Sequence, residues 1–489
     1  MHAQISKGRH ELGVASMRAS IWIWPILLLA VTGCATYQDR PLSPTKALDD
    51  FESRTLDAVS LADYLRANLN TDQTSPAAWG LAELTLAAFY YNPQLDIVCA
   101  QWKRTQGRER VAAEHPNPTL AMTPGFSSTT GYDADISPWI LGVALDIPIE
   151  TAGKRSYRLA EAQYLSESAR LRVAQTAWEV RREVREALAD LYAASRTVTL
   201  LERRCRLHGN NVRLLEQQFE IGEISANELG QARIQRDESG LAWLDAGKQL
   251  TLARYRLAAA IGVPARALET VQFSFDALEG VPEEVPPAEA RRQALLHRED
   301  LLAALADYQA SQAALQEAIA GQYPDIQLGP GYEFDQSDNK WMIGFSVSLP
   351  VFNRNQGAIA TAEARREEAA ATFRDLQARI IGQIERAIVD YQASAKKVRA
   401  TETIVTQKAR LVDRIRKMQA AGEVLMLEVT GVELELNASS ADLLNAHVER
   451  LRTFGRIEEA MHVAADLPDS GREILAQRGA QRGAENHEQ

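Results

Sequence analysis

Residues 341–350 read WMIGFSVSLP. Trp341, Ile343, Phe345, Val347 and Leu349 alternate with Met342, Gly344, Ser346 and Ser348. The period of two marks a β-strand with one apolar face and one small, polar face. A short loop, VFNRNQG, follows Pro350, and no further proline occurs before Pro468. The chain therefore passes from a strand into a very long helix.

The same passage occurs earlier. Trp139, Leu141, Val143, Leu145 and Ile147 alternate with Gly142, Ala144 and Asp146, and Pro148 is expected to end that strand. Each strand has a partner upstream. Leu120, Met122, Pro124 and Phe126 share one face in the first case, and Ile326, Leu328, Pro330 and Tyr332 correspond to them 206 positions later. Trp139 and Pro148 correspond to Trp341 and Pro350 at an offset of 202, and Gly222 to Gly422 at 200. Asn92-Pro-Gln-Leu95 corresponds to Arg298-Glu-Asp-Leu301 at 206. Self-similarity of this kind indicates an internal repeat. The hairpin loop is four residues shorter in the second copy, and the two-residue slip within the helices has no evident physical cause.

Between these landmarks the pattern is helical. A short amphipathic helix is expected around Leu56, Leu61, Tyr64 and Leu65, and another from Trp79 to Ala112 with a break at Asn92-Pro93, because the residue before proline disfavours helix. From Gly153 a helix is expected to Phe219, with Val173, Ala177, Val180, Val184, Ala187 and Leu191 at coiled-coil spacing. A second runs from Ala226 to Ile261.

The domain reading is a signal peptide at 1–33, with Met17 the expected start, a leader at 34–78, a first repeat at 79–262, a proline-rich linker at 263–290, a second repeat at 291–467 and a disordered tail at 468–489. In the signal, Arg18 precedes the apolar run Ile21–Val31, too short to span a bilayer. Val31-Thr-Gly-Cys34 resembles a bacterial lipobox, which makes Cys34 the lipidation site. An ordinary cleaved signal with an incidental cysteine is the alternative. Cys99 and Cys205 fall in separate helical stretches, and half-buried thiols explain them as well as a disulfide does.

Composition narrows the function classes. Aromatic residues make up 7% of the 489, and the net charge of -11 comes from interspersed charges of both signs. No basic face for phosphate is present, so no nucleic-acid partner is expected. No phosphate loop, nucleophile elbow or metal-ligand spacing is found, so neither an enzyme nor a cofactor is expected. Asp133, Asp135 and the run His297-Arg-Glu-Asp300 read as a loop and a helix start.

The long helices cover about 55–65 residues, roughly 80–100 Å, and must pack side by side. The strands, each about 9–12 residues, alternate as membrane staves do. Four strands leave two open edges, which lipid does not tolerate, so other copies of the chain must close them.

The order helix, hairpin, long helix pair, linker and the same again resembles the TolC-like outer-membrane efflux proteins. The details that carry the resemblance are Asn92-Pro-x-Leu95, Pro116-Asn-Pro-Thr-Leu120, the strand-to-helix corners at Pro148 and Pro350 followed by Gly153-Lys-Arg and Asn353-Arg-Asn-Gln-Gly357, and the turn glycines Gly222 and Gly422. It covers about residues 80–465. It implies an α+β membrane protein and a homotrimer, with a twelve-stranded β-barrel in the outer membrane and a periplasmic barrel of antiparallel coiled-coil helices. Cys34 followed by Ala35 resembles the lipoprotein branch, anchored in outer-membrane lipid. The implied partners are a periplasmic adaptor and an inner-membrane pump, of RND type in that branch. Gly222, Glu223, Gly422 and Glu423 would form the adaptor-docking turns. Glu428, six positions after Gly422, would form the periplasmic gate ring, whereas a further family aspartate falls on Gly431. A bare turn and a solvated glutamate are the plain alternatives. An exit duct for type I protein secretion and a structural coiled-coil lipoprotein without a channel also remain open.

Overall fold

The computed structural model describes residues 35–69, 77–128, 137–280, 292 and 296–462. The chain divides into two compact units, Met1–Ser53 and Arg54–Gln489. The first contains helix α1 (Pro44–Glu52), which starts at Ser43, whose side chain accepts from the Lys46 amide, with proline at the first helical position.

In the second unit α2 (Val59–Leu69) buries Leu61 and Leu65. The next helices are α3 (Leu81–Tyr91) and α4 (Pro93–Ala113), parted where the Asn92–Pro93 pair demands it. Asn92 is extended (φ -70°, ψ 122°), and its side chain accepts from the Gln94 amide to cap α4. Then come β1 (Thr119–Phe126), β2 (Trp139–Ile149), α5 (Lys154–Glu220) and α6 (Ala226–Ile261). The second half gives α7 (Glu299–Ala320), β3 (Ile326–Asp335), β4 (Asp338–Val347), α8 (Gln356–Ala420) and α9 (Met426–Met461).

Helices α5 and α8 hold 67 and 65 residues, about 100 Å each at the helical rise. Both α6 and α9 have 36 residues. Helix α5 pairs with α6 and α8 with α9, while α4, α7 and α9 also lie along α5. Alanines 303, 306, 310 and 313 of α7 are buried at steps of three and four, a small-residue seam that lets the long helices approach closely. The largest core joins α3 to residues 177–191 of α5, 253–261 of α6, 380–391 of α8 and 451–460 of α9. Fully buried Leu188, Leu257, Ile384 and Tyr391 anchor it, each contributing about 1.5–3 kcal/mol.

The stretch expected to be a linker is not bare. Leu268, in a short 3-10 turn at Ala265–Leu268, and Leu278, in a one-turn helix, are both buried, and Phe273 bridges to Trp79.

The four strands form one antiparallel sheet in the order β1-β2-β3-β4. The register puts Leu120 opposite Leu145, Met122 opposite Val143 and Phe126 opposite Trp139. It continues through Val143–Tyr332, Tyr332–Trp341, Pro330–Ile343 and Leu328–Phe345. One face is therefore apolar across all four strands. The other carries Thr123–Gly142, Ala144–Gly331, Gln327–Ser346, Gly329–Gly344 and Glu333–Lys340. The apolar face is bare: Trp341, Ile343 and Phe345 are 80% or more exposed. Among the described residues no helix is long and apolar enough to cross a membrane.

Three strand boundaries differ from expectation. Pro148 does not end β2, which runs on to Ile149 with Pro148 opposite Gln327. The β1 register stops at Asp146, so beyond it β2 is paired on one side only, where a residue lacking an N–H is tolerated. Strand β4 stops at Val347, three residues short of Pro350. It begins earlier than the apolar alternation indicated, because Gln336 and Ser337, both at positive φ (49° and 83°), make a two-residue turn. That is the conformation that suits a tight hairpin, here without the usual glycine.

Candidate functional site

Places of three kinds hold the residues singled out from the sequence: two helical turns, two strand-to-helix corners and the lipidation site. Cys34 lies outside the described residues.

The turns at 222 and 422 share one backbone. Gly222 and Gly422 have φ of 77° and 79°. The Gly222 amide donates to the Phe219 carbonyl (3.0 Å) and the Glu223 amide to Gln218 (2.9 Å); Gly422 donates to Gln419 and Glu423 to Met418, both at 2.9 Å. This left-handed termination satisfies carbonyls left over at the helix end, and glycine adopts it without a Cβ penalty. Phe219, Ile221, Leu425 and Met426 are exposed at these tips.

The side chains differ. In the first turn Ser225 caps α6: its hydroxyl accepts from the Glu228 amide (3.2 Å), and the Glu228 carboxylate accepts from the Ser225 amide (2.8 Å). This reciprocal capping box holds the Glu228 carboxyl below its usual range, through the backbone bond first and the hydroxyl second. In the second turn Leu425 holds the capping position with matching extended geometry and has no polar side chain. Glu428, in the first turn of α9, is exposed as Glu228 is, but among the described residues no hydrogen bond or ion pair engages its carboxylate. The Glu223 and Glu423 side chains are also exposed. Just behind the turns, Glu216 pairs with Arg233 (2.7 Å) in the first and Arg416 with Glu433 in the second. The positions are 200 apart and the charges are exchanged. Sequence reading missed these pairs, although the opposite charges at 216 and 416, and at 233 and 433, were the available signal.

At the corners the chain turns with left-handed residues. Ala152 (φ 54°) and Gly153 (φ 73°) precede α5, and Asn355 (φ 63°) precedes α8. Gly153 and Asn355 keep the offset of 202. Lys154 Nζ binds Asp325 (2.8 Å) and the Tyr323 carbonyl, Arg158 is bidentate to Glu150, and Asn355 donates to the Ala318 carbonyl (2.7 Å). The corner after β2 is thus made by residues 150–153 rather than by Pro148, while Pro350 lies inside the corner after β4.

A further cluster had no sequence signal, because long-range packing assembles it. Arg181 and Arg185 of α5 and Glu458 of α9 are all at most 6% exposed. Both arginines pair with Glu458, at 3.5 Å for Arg181, and they lie over Trp178 and Phe454 respectively. A Cβ at Gly455 would fall 2.8 Å from Arg185 Nε, so glycine makes room for the guanidinium there. Neighbouring Arg298 donates to Asp300 and to the Ala460 carbonyl. Burial alone would raise the Asp300 carboxyl, but the Arg298 hydrogen bond and charge, aided by His462, hold it below the usual range.

Cys99 and Cys205 are not joined in a disulfide, and Cys205 Sγ meets the Ser239 carbonyl at 3.0 Å. No group of three or more His, Cys, Asp or Glu able to hold a metal occurs among the described residues.

The arrangement has known counterparts. The profile of the outer membrane efflux protein family matches residues 88–263 and 290–461. The cobalt-zinc-cadmium resistance protein CzcC of Cupriavidus metallidurans is 28% identical over 284 residues, 58% of this chain and 65% of that protein. The cation efflux system protein CusC of Escherichia coli is 24% identical over 283 residues, 54% of this chain and 58% of that protein. The matches thus span under two thirds of those relatives' own length. Among solved structures, the outer membrane protein VceC from Vibrio cholerae superposes with a TM-score of 0.64 at 19% identity, over 83% of this chain and 99% of that one, a likeness of fold. With the family profile covering well over half of its length in two successive segments, the chain belongs to the outer membrane efflux protein family.

Proposed function

We propose that this chain is the outer-membrane duct of a tripartite efflux system for metal cations, working as a homotrimer. The observation that carries the reading is the sheet: four strands, an unbroken apolar face, and two open edges at β1 and β4. Unpaired edges are not tolerated in lipid. Three copies joined β4 to β1 give twelve strands with the apolar face toward lipid and the small, polar face toward water. The paired helices would continue that wall into the periplasm. The paired positions at offsets of 200–206 support descent of the two halves from one repeat.

In this reading Cys34 carries the lipid anchor in the outer membrane. The turns around Gly222–Glu223 and Gly422–Glu423 receive a periplasmic adaptor, and an inner-membrane pump of RND type delivers the cargo. Glu428 supplies the gate: three carboxylates around a narrow mouth concentrate negative potential and favour cations. The duct performs no chemical step and is not an enzyme. Metal cations as cargo rest on the names of the relatives that match, a cobalt-zinc-cadmium resistance protein and a cation efflux system protein.

The test is the full chain reconstituted in planar lipid bilayers, beside growth on cobalt, zinc or cadmium of a host lacking its own metal-exporting duct but supplied with this chain and its adaptor and pump. A cation-preferring conductance whose selectivity falls in Glu428→Ala, together with restored metal tolerance, supports the reading. A non-conducting protein, or conductance with drug tolerance restored and metal tolerance unchanged, contradicts the duct or the cargo respectively.

A further inference from the structure

The far ends of α6 and α9 close differently. Helix α6 stops at Gly262 with φ 89°. Two hundred positions later α9 stops at His462 with φ 51°, in the same left-handed region, where a Cβ is disfavoured. His462 is 4% exposed. Its ring stacks on Trp178 of α5, with centroids 5.1 Å apart and planes at 25°, and its Nδ1 lies 2.5 Å from Glu299 Oε2 at the start of α7. A side chain held in that backbone region by two other helices motivates a functional hypothesis.

The charge of His462 also acts on Asp300 and Glu459, but those acids have arginines as well. Arg181 and Arg185 of α5 pair with Glu458 of α9, and Arg182 of α5 pairs with Glu459 of α9 at 3.1 Å. At the start of α7 Arg298 pairs with Asp300, and on α8 Asp390 faces Arg386 and Arg456. Each of these carboxylates has an arginine. Glu299 does not: among the described residues its one charged partner is His462. The Glu299 side chain is 14% exposed, so water replaces a lost counter-charge poorly.

We propose that His462 and Glu299 form a pH-responsive clamp that fastens the end of α9 to α7 and α5. With the imidazole protonated, Glu299 has its cation and the clamp is tight. Histidine is the side chain whose charge responds to pH near neutrality; with the ring neutral the ion pair is lost and one hydrogen bond remains. The clamp ties a long helix of the first half to two helices of the second, inside the core that joins the halves. Its slackening loosens the wall at that level. At the corresponding place in the first half Gly262 has no side chain to titrate.

Amide hydrogen exchange on the full chain in lipid nanodiscs tests this, at pH 5.5 and 8.0 and corrected for the intrinsic pH dependence of exchange. The wild-type amides at 458–462 are expected to exchange about 5- to 30-fold more slowly at pH 5.5, the change that a small stabilisation produces in an opening equilibrium. The ratio should fall to near one in His462→Asn, which tolerates the left-handed backbone, and by more than half in Glu299→Gln, where only the weaker action of the ring on Asp300 and Glu459 remains. Should His462→Asn fail to assemble, Glu299→Gln decides alone. Amides 258–262 are the internal control, with a ratio near one throughout. No pH effect at 458–462 in the wild type, its undiminished persistence in either assembled variant, or an equal effect at 258–262 overturns the proposal.

Discussion

The turns at Gly222 and Gly422 have the same backbone and different chemistry. In the first, Ser225 and Glu228 satisfy each other, so the acid belongs to the helix cap. In the second, Leu425 offers no such partner, and the equally exposed Glu428 carboxylate is uncommitted. The far ends of the same helix pairs repeat the lesson, with Gly262 against His462 and Ala258 against Glu458. Paired positions kept the geometry that only the backbone requires. They diverged where a side chain is free to meet something else.

The largest effect is expected at 458. Glu458→Ala places in α9 the residue that α6 has at 258 and leaves Arg181 and Arg185 buried without their carboxylate. Removing one partner of a buried pair costs about 3–5 kcal/mol, so a large fall in the denaturation midpoint is expected, while Ala258→Gly, a change within α6, should cost about 1 kcal/mol. A next test is to substitute both turn glycines. Gly222→Ala and Gly422→Ala should each destabilise by about 1–2 kcal/mol, by equal amounts, because both place a Cβ in the left-handed region; unequal losses would show that the turns are not equivalent.

A smaller effect separates the caps. Ser225→Ala should cost about 1 kcal/mol, and Leu425→Ser should stabilise the second turn by a similar or smaller amount. By drawing Glu428 into a capping box, Leu425→Ser should also lower cation selectivity in bilayers, in the same direction as Glu428→Ala. The smallest effect concerns Asp300. Its carboxyl is held below the usual range, so the stability it contributes is present above the ordinary carboxylate pKa and is lost as pH falls through the folded-state value. Asp300→Asn should remove that part of the acid sensitivity, read as a flatter dependence of the denaturation midpoint on pH below about 4.

The periodic parts of the fold were legible in the sequence. Ala226–Ile261 has the expected bounds, and the break at Asn92-Pro93 falls where proline sterics place it. The strand faces were legible because lipid-type alternation has a period of two. The strand ends were less so. Pro148 continues a strand because the neighbouring strand has already stopped, which is a fact about pairing and not about residue 148. The turn at Gln336-Ser337 adopts positive φ without glycine, so no turn residue announced it. The Arg181–Arg185–Glu458 cluster and the His462 clamp join positions more than 150 residues apart, and a single sequence holds no local pattern for them.

If the sheet is one part of a closed wall, the β1 edge of one copy meets the β4 edge of the next. Single cysteines placed in β1 and in β4 of the full chain, paired by scanning and oxidised in the membrane, test it directly. The account predicts covalent ladders that end at three chains, in a preparation that conducts in bilayers. Cross-links absent for every β1–β4 pairing, in a protein that runs as a monomer and does not conduct, would contradict it.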